Sequence, residues 1–246
     1  MLYRGMDRAQ LDAAYNNRAA VPATERIIAD WNERSARLRT TRTGHLDLEY
    51  GARPRERLDL FLAEGLLACG INLALIEYTL APDARMDQIV GEVRHAIAFL
   101  SQHLGDYGAD PARIYVAGHS AGGHLTATTM SLPAVRGGIA ISGIYDLEPV
   151  RLNYLNVKLG LDADEARRNS PLLHLPVTAG SLIVAYGTAE LPELCRQSID
   201  YAQAWVESGL PGHLLPIDGA DHFTILEALA APHGSLTQAL VELASI

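Results

Sequence analysis

Residues 113–130, RIYVAGHSAGGHLTATTM, contain the turn from which the fold can be worked out. RIYVAG is an apolar run typical of a buried strand, and AGGHLTATTM has the length and composition of a helix. Between them, GHSAG (118–122) has the spacing G-x-S-x-G, in which a serine at a sharp strand-to-helix turn projects its hydroxyl beyond the sheet edge. Glycines at both ends of this elbow avoid collisions of Cβ atoms. Ser120 is therefore a candidate nucleophile, and an inert serine in a glycine-rich turn is the alternative.

Strand-like and helix-like segments alternate on both sides of this turn. Apolar runs that indicate strands are INLALIEY (71–78), RIYVAG (113–118), GIAISG (138–143), SLIVAYG (181–187) and HLLPIDG (213–219). The first of these runs suits a strand buried on both faces of a sheet. Helix-length stretches separate the runs, and in residues 86–104 the apolar side chains recur at three- and four-residue steps. The sequence therefore predicts the class α/β, with a mostly parallel, doubly wound sheet and helices on both faces.

The other segments extend this plan. Residues 7–38 predict N-terminal helices, and the polar–apolar alternation in 45–51 and 56–63 predicts a β-hairpin. Residues 144–178 break the rhythm of strand and helix, and they predict a small cap insertion over a site. No segment of the chain has the composition of a linker, so we expect a single domain over residues 1–246.

The composition argues against several classes of protein. A formal net charge of −9 and the lack of a Lys/Arg-rich run argue against nucleic acid as a partner. The two cysteines, Cys69 and Cys195, form no CxxC pair, which favours a reducing compartment over a disulfide framework or a zinc site. The N-terminus has no apolar signal region, and no apolar run is long enough to cross a membrane. We therefore expect a soluble, cytoplasmic protein that acts on a small molecule.

A serine nucleophile needs a base, and the base needs a carboxylate that orients it. At an elbow of this type the chain order is serine, acid, histidine, with the acid after a late strand and the histidine after the last one. The segment YGTAELPE (186–193) follows a predicted strand and contains two candidates, Glu190 and Glu193. His222 follows the last predicted strand, beside Asp221, which would find it hard to turn back onto the imidazole. The required order is therefore present.

Other residues complete the predicted site. The helix that begins at Ala121 aims its first N–H groups at the site, so the Ala121 amide is the candidate oxyanion donor. Tyr78 and Tyr145 are candidates to line a pocket for an aromatic substrate, with core packing as the alternative, and His119 at the variable elbow position is a third candidate. The other histidines show no metal-ligand spacing, so neither a metal nor a cofactor is expected.

The chain resembles a known family over roughly residue 45 to the end. The segments that carry the resemblance are EYTLAP (77–82), DPARIYVAGHSAGGHL (110–125), SGIYDLEPV (142–150), NSPLLHLP (169–176), YGTAELPELCRQS (186–198) and DHF (221–223). They are similar to the kynurenine formamidase (arylformamidase) branch of the α/β-hydrolase superfamily. The resemblance implies an α/β-hydrolase fold and cleavage of N-formyl aryl amides such as N-formylkynurenine. It matches Ser120 to the nucleophile, Glu190 to the acid and His222 to the base.

One departure from the family concerns the segment between the predicted hairpin and the strand INLALIEY. The family has a central strand and an H-G-G-x-W-type loop there, and that loop supplies backbone N–H groups to the oxyanion hole. Here no HGG or GG occurs between residues 56 and 78, and only residues 64–70 connect two predicted strands. A link this short can reach only an antiparallel neighbour, because a parallel crossover needs about a dozen residues.

Three functions remain open at this level. The first is a serine hydrolase of the arylformamidase type. The second is a carboxylesterase that acts on small acyl or aryl esters, since both substrates pass through a tetrahedral oxyanion. The third is a catalytically impaired hydrolase-like protein, because loss of one oxyanion donor costs about 10²–10³ in turnover.

Overall fold

The computed structural model describes residues 2–62 and 70–245. Its strands are β1 (Gly44–Glu49), β2 (Arg57–Phe61), β3 (Leu73–Ile76), β4 (Ile114–His119), β5 (Val135–Ile141), β6 (Ser181–Gly187) and β7 (Gly212–Ile217). Its helices are α1 (Arg8–Ala14), α2 (Asn17–Ala20), α3 (Thr24–Thr41), α4 (Met86–His103), α5 (Ala121–Thr129), α6 (Glu148–Arg151), α7 (Asn156–Leu159), α8 (Ala163–Arg168), α9 (Pro192–Glu207), α10 (Glu227–Ala230) and α11 (Ser235–Ser245). The alternation of strand and helix confirms the predicted α/β class.

The four later strands form a parallel sheet in the order β4-β5-β6-β7. Their register is continuous at the carboxyl ends, where His119 pairs with Ile141 and Gly187 pairs with Ile217. In an open parallel sheet, ligands bind outside this edge, because the loops and helix N-termini that leave the strands converge there. The three segments predicted to carry the site all leave the sheet at this edge.

Helices cover this parallel sheet on both faces. Alternate residues of each strand point to opposite sides, as the two-residue period of a strand requires. Ala140 and Val184 face a core beneath α4 and α9, whereas Ile139 and Ile183 face a core beneath α11. The prediction of helices on both faces is therefore confirmed.

The three earlier strands form a separate antiparallel sheet in the order β1-β2-β3. The predicted hairpin is present, because β1 pairs antiparallel with β2. β2 pairs antiparallel with β3, which is the geometry that a short link between them permits. The link itself, residues 63–69, lies outside the described residues, as does the C-terminal residue of the predicted strand 56–63.

The prediction for INLALIEY is wrong in one respect. The strand covers only Leu73–Ile76 and is not buried on both faces, since Leu75 is 47% exposed. Within the described ranges, β3 pairs only with β2, and β4 pairs only with β5. Ala117, in the middle of β4, is also exposed. No described strand replaces the central strand that the family has between the hairpin and the strand matching INLALIEY, and β3 and β4 each have an exposed residue, Leu75 and Ala117.

A common hydrophobic core joins the two sheets. It contains Leu58 and Leu60 of β2, Ile114 of β4, and the buried face of α4, including Ile97. α4 is amphipathic and buries one face over this core, as its three- and four-residue spacing predicts. Apolar packing therefore connects the sheets where hydrogen bonds do not.

Helices α6, α7 and α8 occupy the segment between β5 and β6. They pack with α1 in a smaller apolar cluster that includes Leu11, Tyr15 and Leu147. The expected N-terminal helices are present as α1, α2 and α3. Two expectations stay predictions: the role of residues 144–178 as a cap over a site, and the organisation of the chain as a single domain. Among the described residues, no helix is long and apolar enough to span a membrane.

Candidate active site

Ser120 lies in the tight turn between β4 and α5. Its backbone has φ 55° and ψ −113°, a conformation that few non-glycine residues adopt. The Ser120 N–H donates to the Ile141 carbonyl at 2.8 Å, which ties the turn to the end of β5. A Cβ on Gly118 would overlap the backbone of Gly122, so Gly118 has the steric role expected of it. A Cβ on Gly122 would meet no described atom within 4 Å, and the second close approach involves Gly123 instead.

His222 follows β7 and reaches the serine. The His222 Nε2 lies 3.0 Å from Ser120 Oγ, within hydrogen-bond distance. The imidazole is buried, and the Phe223 ring meets it edge-on with centroids 5.6 Å apart. The His119 ring packs against its other side at 4.6 Å between centroids. Neighbouring rings thus restrict the orientation of His222.

Glu190 is the carboxylate that contacts His222. Its Oε2 lies 2.9 Å from His222 Nδ1, and its Oε1 accepts from Gly187 N–H at 2.8 Å and from Ser142 Oγ at 2.5 Å. Burial alone would raise the pKa of Glu190. The hydrogen bond and charge of His222, followed by the bonds from Ser142 and Gly187, outweigh burial and hold the pKa below its ordinary value. Glu190 is therefore held as an anion beside the imidazole.

The alternative acids make other contacts. Glu193 lies in the first turn of α9 and pairs with Arg196 at 2.8 Å. Asp221 accepts from the N–H groups of Phe223 and Thr224, both at 2.9 Å, and so closes the turn that presents His222. Of these three carboxylates, only that of Glu190 lies within hydrogen-bond distance of the His222 imidazole.

Ala121 is the first residue of α5. The N–H groups of the first helical turn have no acceptor within the helix, so this amide is available to a ligand at the sheet edge. Ala121 is exposed, and it lies on the β4 side of the site, where the sheet is interrupted. Within the described part of the chain, the Ala121 N–H is therefore a backbone donor for an oxyanion beside Ser120.

The three residues predicted to bind substrate lie in different surroundings. His119 is in the site, against His222. Tyr78 is half-buried and packs against the core near the interrupted edge, with no recorded contact to the three central side chains. Tyr145 is 0% exposed and stacks on Tyr201 at 4.2 Å between centroids, so its ring has no surface for a substrate. The prediction for Tyr145 is therefore corrected to the core-packing alternative, because its ring is buried against α9.

The His119 imidazole is held in its neutral form by its surroundings. Burial, followed by the neighbouring His222, lowers the pKa of His119 to about 4. Its Nε2 is buried, and no described residue forms a hydrogen bond with it. A neutral imidazole is the form consistent with such surroundings.

Sequence reasoning assigned no role to Ser142 or Gly187, which both bond to Glu190. The signal for Ser142 was present, because it comes directly after the strand GIAI, at the same edge of the sheet as the nucleophile. Gly187 ends β6 and contacts Glu190 through its backbone N–H. Every residue other than proline has such a group, so the sequence gives no signal for this contact.

Two surface depressions lie away from this site. One, of about 380 Å³, is bordered by charged residues that include Arg57 of β2 and Glu77, which directly follows β3. The other, of about 330 Å³, is bordered by residues of the 144–178 segment such as Asp164 and Arg167. Neither includes the central serine, histidine or glutamate. In the part of the chain that the structure describes, no group of His, Cys, Asp and Glu side chains forms a metal site, and Cys195 is a free thiol.

The strand order and the elbow at Ser120 are those of the α/β-hydrolase fold. Residues 56–173 match the model of a family with the α/β-hydrolase fold. The chain is 33% identical to a kynurenine formamidase from Danio rerio over 196 residues, which cover 74% of this chain and 66% of that protein. A second kynurenine formamidase, from Salmo salar, is 32% identical with the same coverage. The matched region thus spans just under two thirds of the length of these relatives.

Other similarities extend to enzymes that cleave esters. An isoprenylcysteine alpha-carbonyl methylesterase from Arabidopsis thaliana is 23% identical over 234 residues, covering 70% of this chain and 55% of that protein. Among solved structures, a proposed thioesterase from Silicibacter sp. tm1040 superposes with a TM-score of 0.83 at 25% identity, covering 96% of this chain and 99% of that one.

Proposed function

We propose that this chain is a serine hydrolase of the arylformamidase type, in which Ser120 is the nucleophile, His222 the base and Glu190 the acid. The observation that carries the proposal is one continuous series of contacts, Ser120 Oγ to His222 Nε2 at 3.0 Å and His222 Nδ1 to Glu190 Oε2 at 2.9 Å. Nucleophile, base and orienting carboxylate stand in the order that acyl transfer requires.

Acylation begins at the formyl carbon of an N-formyl aryl amide. Ser120 Oγ attacks this carbon while His222 Nε2 takes the serine proton, and the Glu190 carboxylate stabilises the resulting imidazolium. The Ala121 N–H donates to the oxyanion of the tetrahedral intermediate. When the C–N bond breaks, His222 returns the proton to the departing arylamine nitrogen, which leaves a formyl ester on Ser120.

Deacylation repeats these steps with water. His222 Nε2 removes a proton from a water molecule, whose oxygen attacks the formyl ester carbon. The second tetrahedral intermediate collapses with cleavage of the bond to Ser120 Oγ, which recovers its proton from His222. The products are formate, the arylamine and free enzyme, and no cofactor takes part.

The formamide substrate is supported by the relatives named kynurenine formamidase, which match most of this chain. The interrupted sheet bears on the rate rather than on the reaction class. With the Ala121 amide as the one backbone donor among the described residues, we expect turnover about 10²–10³ below that of an enzyme with a full oxyanion hole.

The proposal is tested by formate release from N-formylkynurenine, measured over hours at micromolar enzyme concentration. We expect formate and arylamine in equal amounts, and loss of both in Ser120→Ala. Ser208→Ala, a change at an exposed serine after α9, is the matched control and should keep the wild-type rate. Formate release that persists in Ser120→Ala would refute the assigned nucleophile.

A carboxylesterase is the second candidate, favoured by the similarity to a methylesterase and by the exposed β4 side of the site, which restricts the acyl group little. Parallel assays with p-nitrophenyl acetate and a formanilide separate the two functions. A higher kcat/KM for the formanilide supports the arylformamidase, and the reverse supports the esterase. If neither is turned over, the third hypothesis, an impaired hydrolase-like protein, is favoured.

A further inference from the structure

Ser142, the residue directly after β5, contacts the candidate acid although it is outside the predicted catalytic residues. It is 0% exposed, and its Oγ lies 2.5 Å from Glu190 Oε1. We propose that Ser142 is a positioning residue that holds the Glu190 carboxylate toward His222, and that the Ile141–Ser142 step couples acid and nucleophile. This inference rests on the proposed function and assigns a further residue to the same site.

The direction of the hydrogen bond follows from the chemistry of the two groups. An ionised carboxylate only accepts, so the Ser142 hydroxyl is the donor. A separation of 2.5 Å is typical of an O–H donor to a carboxylate, which is one of the stronger hydrogen bonds in proteins. Together with Gly187 N–H it occupies Oε1, which leaves Oε2 for the Nδ1–H of His222.

The backbone of Ser142 has a conformation that is unusual for a residue with a side chain. Its φ is 50°, and Ser120 is one of the few other described non-glycine residues with positive φ. A glycine would adopt this conformation without strain, as Gly143 beside it could. Ser142 carries a side chain where the backbone favours glycine, and among the described residues this side chain donates one hydrogen bond, to Glu190. Strained residues of this kind are retained where the surroundings over-determine them, frequently at functional sites.

The two residues at the end of β5 also connect the other members of the site. The Ile141 carbonyl accepts the Ser120 N–H at 2.8 Å, and the Ser142 N–H donates to the Ala185 carbonyl of β6 at 2.7 Å. The nucleophile turn, the end of β5 and the strand that leads to Glu190 are therefore bonded in series. A displacement of Ser142 would move the acid relative to the nucleophile.

Two substitutions separate the hydroxyl from the backbone. Ser142→Ala removes the donor and keeps the strained conformation, whereas Ser142→Gly removes the donor and relieves the strain. We expect both to lower kcat about tenfold, the scale seen when a group that orients a ligand or base is removed, with KM unchanged because Ser142 touches no substrate. Both variants should unfold below the wild type because they lose the hydrogen bond to Glu190, and Ser142→Gly should unfold above Ser142→Ala because glycine relieves the strain. Ser198→Ala, at an equally buried serine on α9, is the control and should keep the wild-type kcat.

A measurement that does not require turnover completes the test. The proton shared by His222 Nδ1 and Glu190 gives a far-downfield ¹H NMR resonance when it is protected from water. We expect this resonance in the wild type and Ser198→Ala, and its broadening or loss in both Ser142 variants. If the wild type releases no formate but the resonance responds to Ser142, the proposed function fails and the positioning role stands. If kcat and the resonance are unchanged in both variants, the positioning role is overturned.

Discussion

At the scale of single residues, the site depends on side chains whose protonation is fixed by their surroundings. Glu190 is buried and remains ionised because three donors outweigh the cost of burial. His119 is the opposite case, since burial keeps its ring neutral. In the proposed mechanism, the Glu190 anion and the neutral His119 ring beside His222 let the imidazolium form without a second positive charge next to it.

The identity of the acid is tested by a pair of variants. Glu190→Gln removes the charge that stabilises the His222 cation, and we expect kcat to fall by about 10³–10⁴. Glu193→Gln loses the pairing with Arg196 and should stay within a few-fold of the wild type. Steady-state kinetics on N-formylkynurenine measure both. A larger loss in Glu193→Gln than in Glu190→Gln would contradict the assignment.

The neutral state of His119 predicts a pH dependence of stability. Burial, followed by His222, lowers the pKa from 6.5 in the unfolded chain to about 4 in the folded protein. Between these values the unfolded chain binds the proton and the folded protein does not, so stability falls as the pH drops from 6.5 toward 4. The full loss of stability is up to about 3.5 kcal/mol, from about 1.4 kcal/mol for each unit of pKa.

Urea unfolding at pH 7.5, 5.5 and 4.5 measures this effect in the wild type and in His119→Phe, which keeps a ring against His222. As the pH falls, we expect the free energy of unfolding of the wild type to decrease relative to that of His119→Phe. His233→Gln, at an exposed histidine, is the control and should follow the wild-type curve. A difference that is constant with pH would show that His119 is protonated equally in both states.

At the scale of elements, the elbow is held by the packing of α5 on the end of β5. A Cβ on Gly123 would lie 2.8 Å from Gly143 Cα and from the Ile141 carbonyl oxygen, which is closer than Cβ atoms approach backbone. This contact positions α5, and with it Ser120 and the Ala121 amide, against the strand that leads to Ser142. The element therefore works as a unit, and its close contact involves Gly123 rather than Gly122 of the G-x-S-x-G motif.

Two alanine variants test this packing. Gly123→Ala should destabilise the protein by about 1–3 kcal/mol, because α5 must move away from β5. Gly122→Ala meets no described atom within 4 Å and should be neutral or stabilising by up to about 1 kcal/mol, since alanine favours the helix. Thermal unfolding followed by circular dichroism compares the two, and equal effects would contradict the described packing.

At the scale of the whole molecule, two sheets that share no hydrogen-bonded strand pair among the described residues depend on one core. Truncation of Ile97, which is buried in α4 over that core, should therefore weaken both sheets together. We expect Ile97→Ala to cost about 2–5 kcal/mol and to leave a single cooperative transition. Coincident urea curves from tryptophan fluorescence and far-ultraviolet circular dichroism check this. Separate transitions would show that the sheets unfold independently.

Sequence patterns predicted what is encoded locally, and less of what depends on neighbours in space. The elbow at Ser120 and the strand ends before Glu190 and His222 follow from short apolar runs and turn residues, so their convergence could be anticipated. The exposure of Leu75 could not, because an apolar strand is buried only if a strand or helix lies beside it. The burial of Tyr145 is similar, since stacking on a residue of α9 is invisible to a pattern in its own segment.

The central claim is that Ser120 is an activated nucleophile, and reaction with a fluorophosphonate tests it without assuming a substrate. We predict that the wild-type chain is labelled at Ser120, as mapped by peptide mass spectrometry, that Ser120→Ala is not labelled, and that His222→Gln reacts at least a hundredfold more slowly. A wild-type chain that is correctly folded by circular dichroism but unlabelled, or labelled at the same rate without His222, would contradict the account.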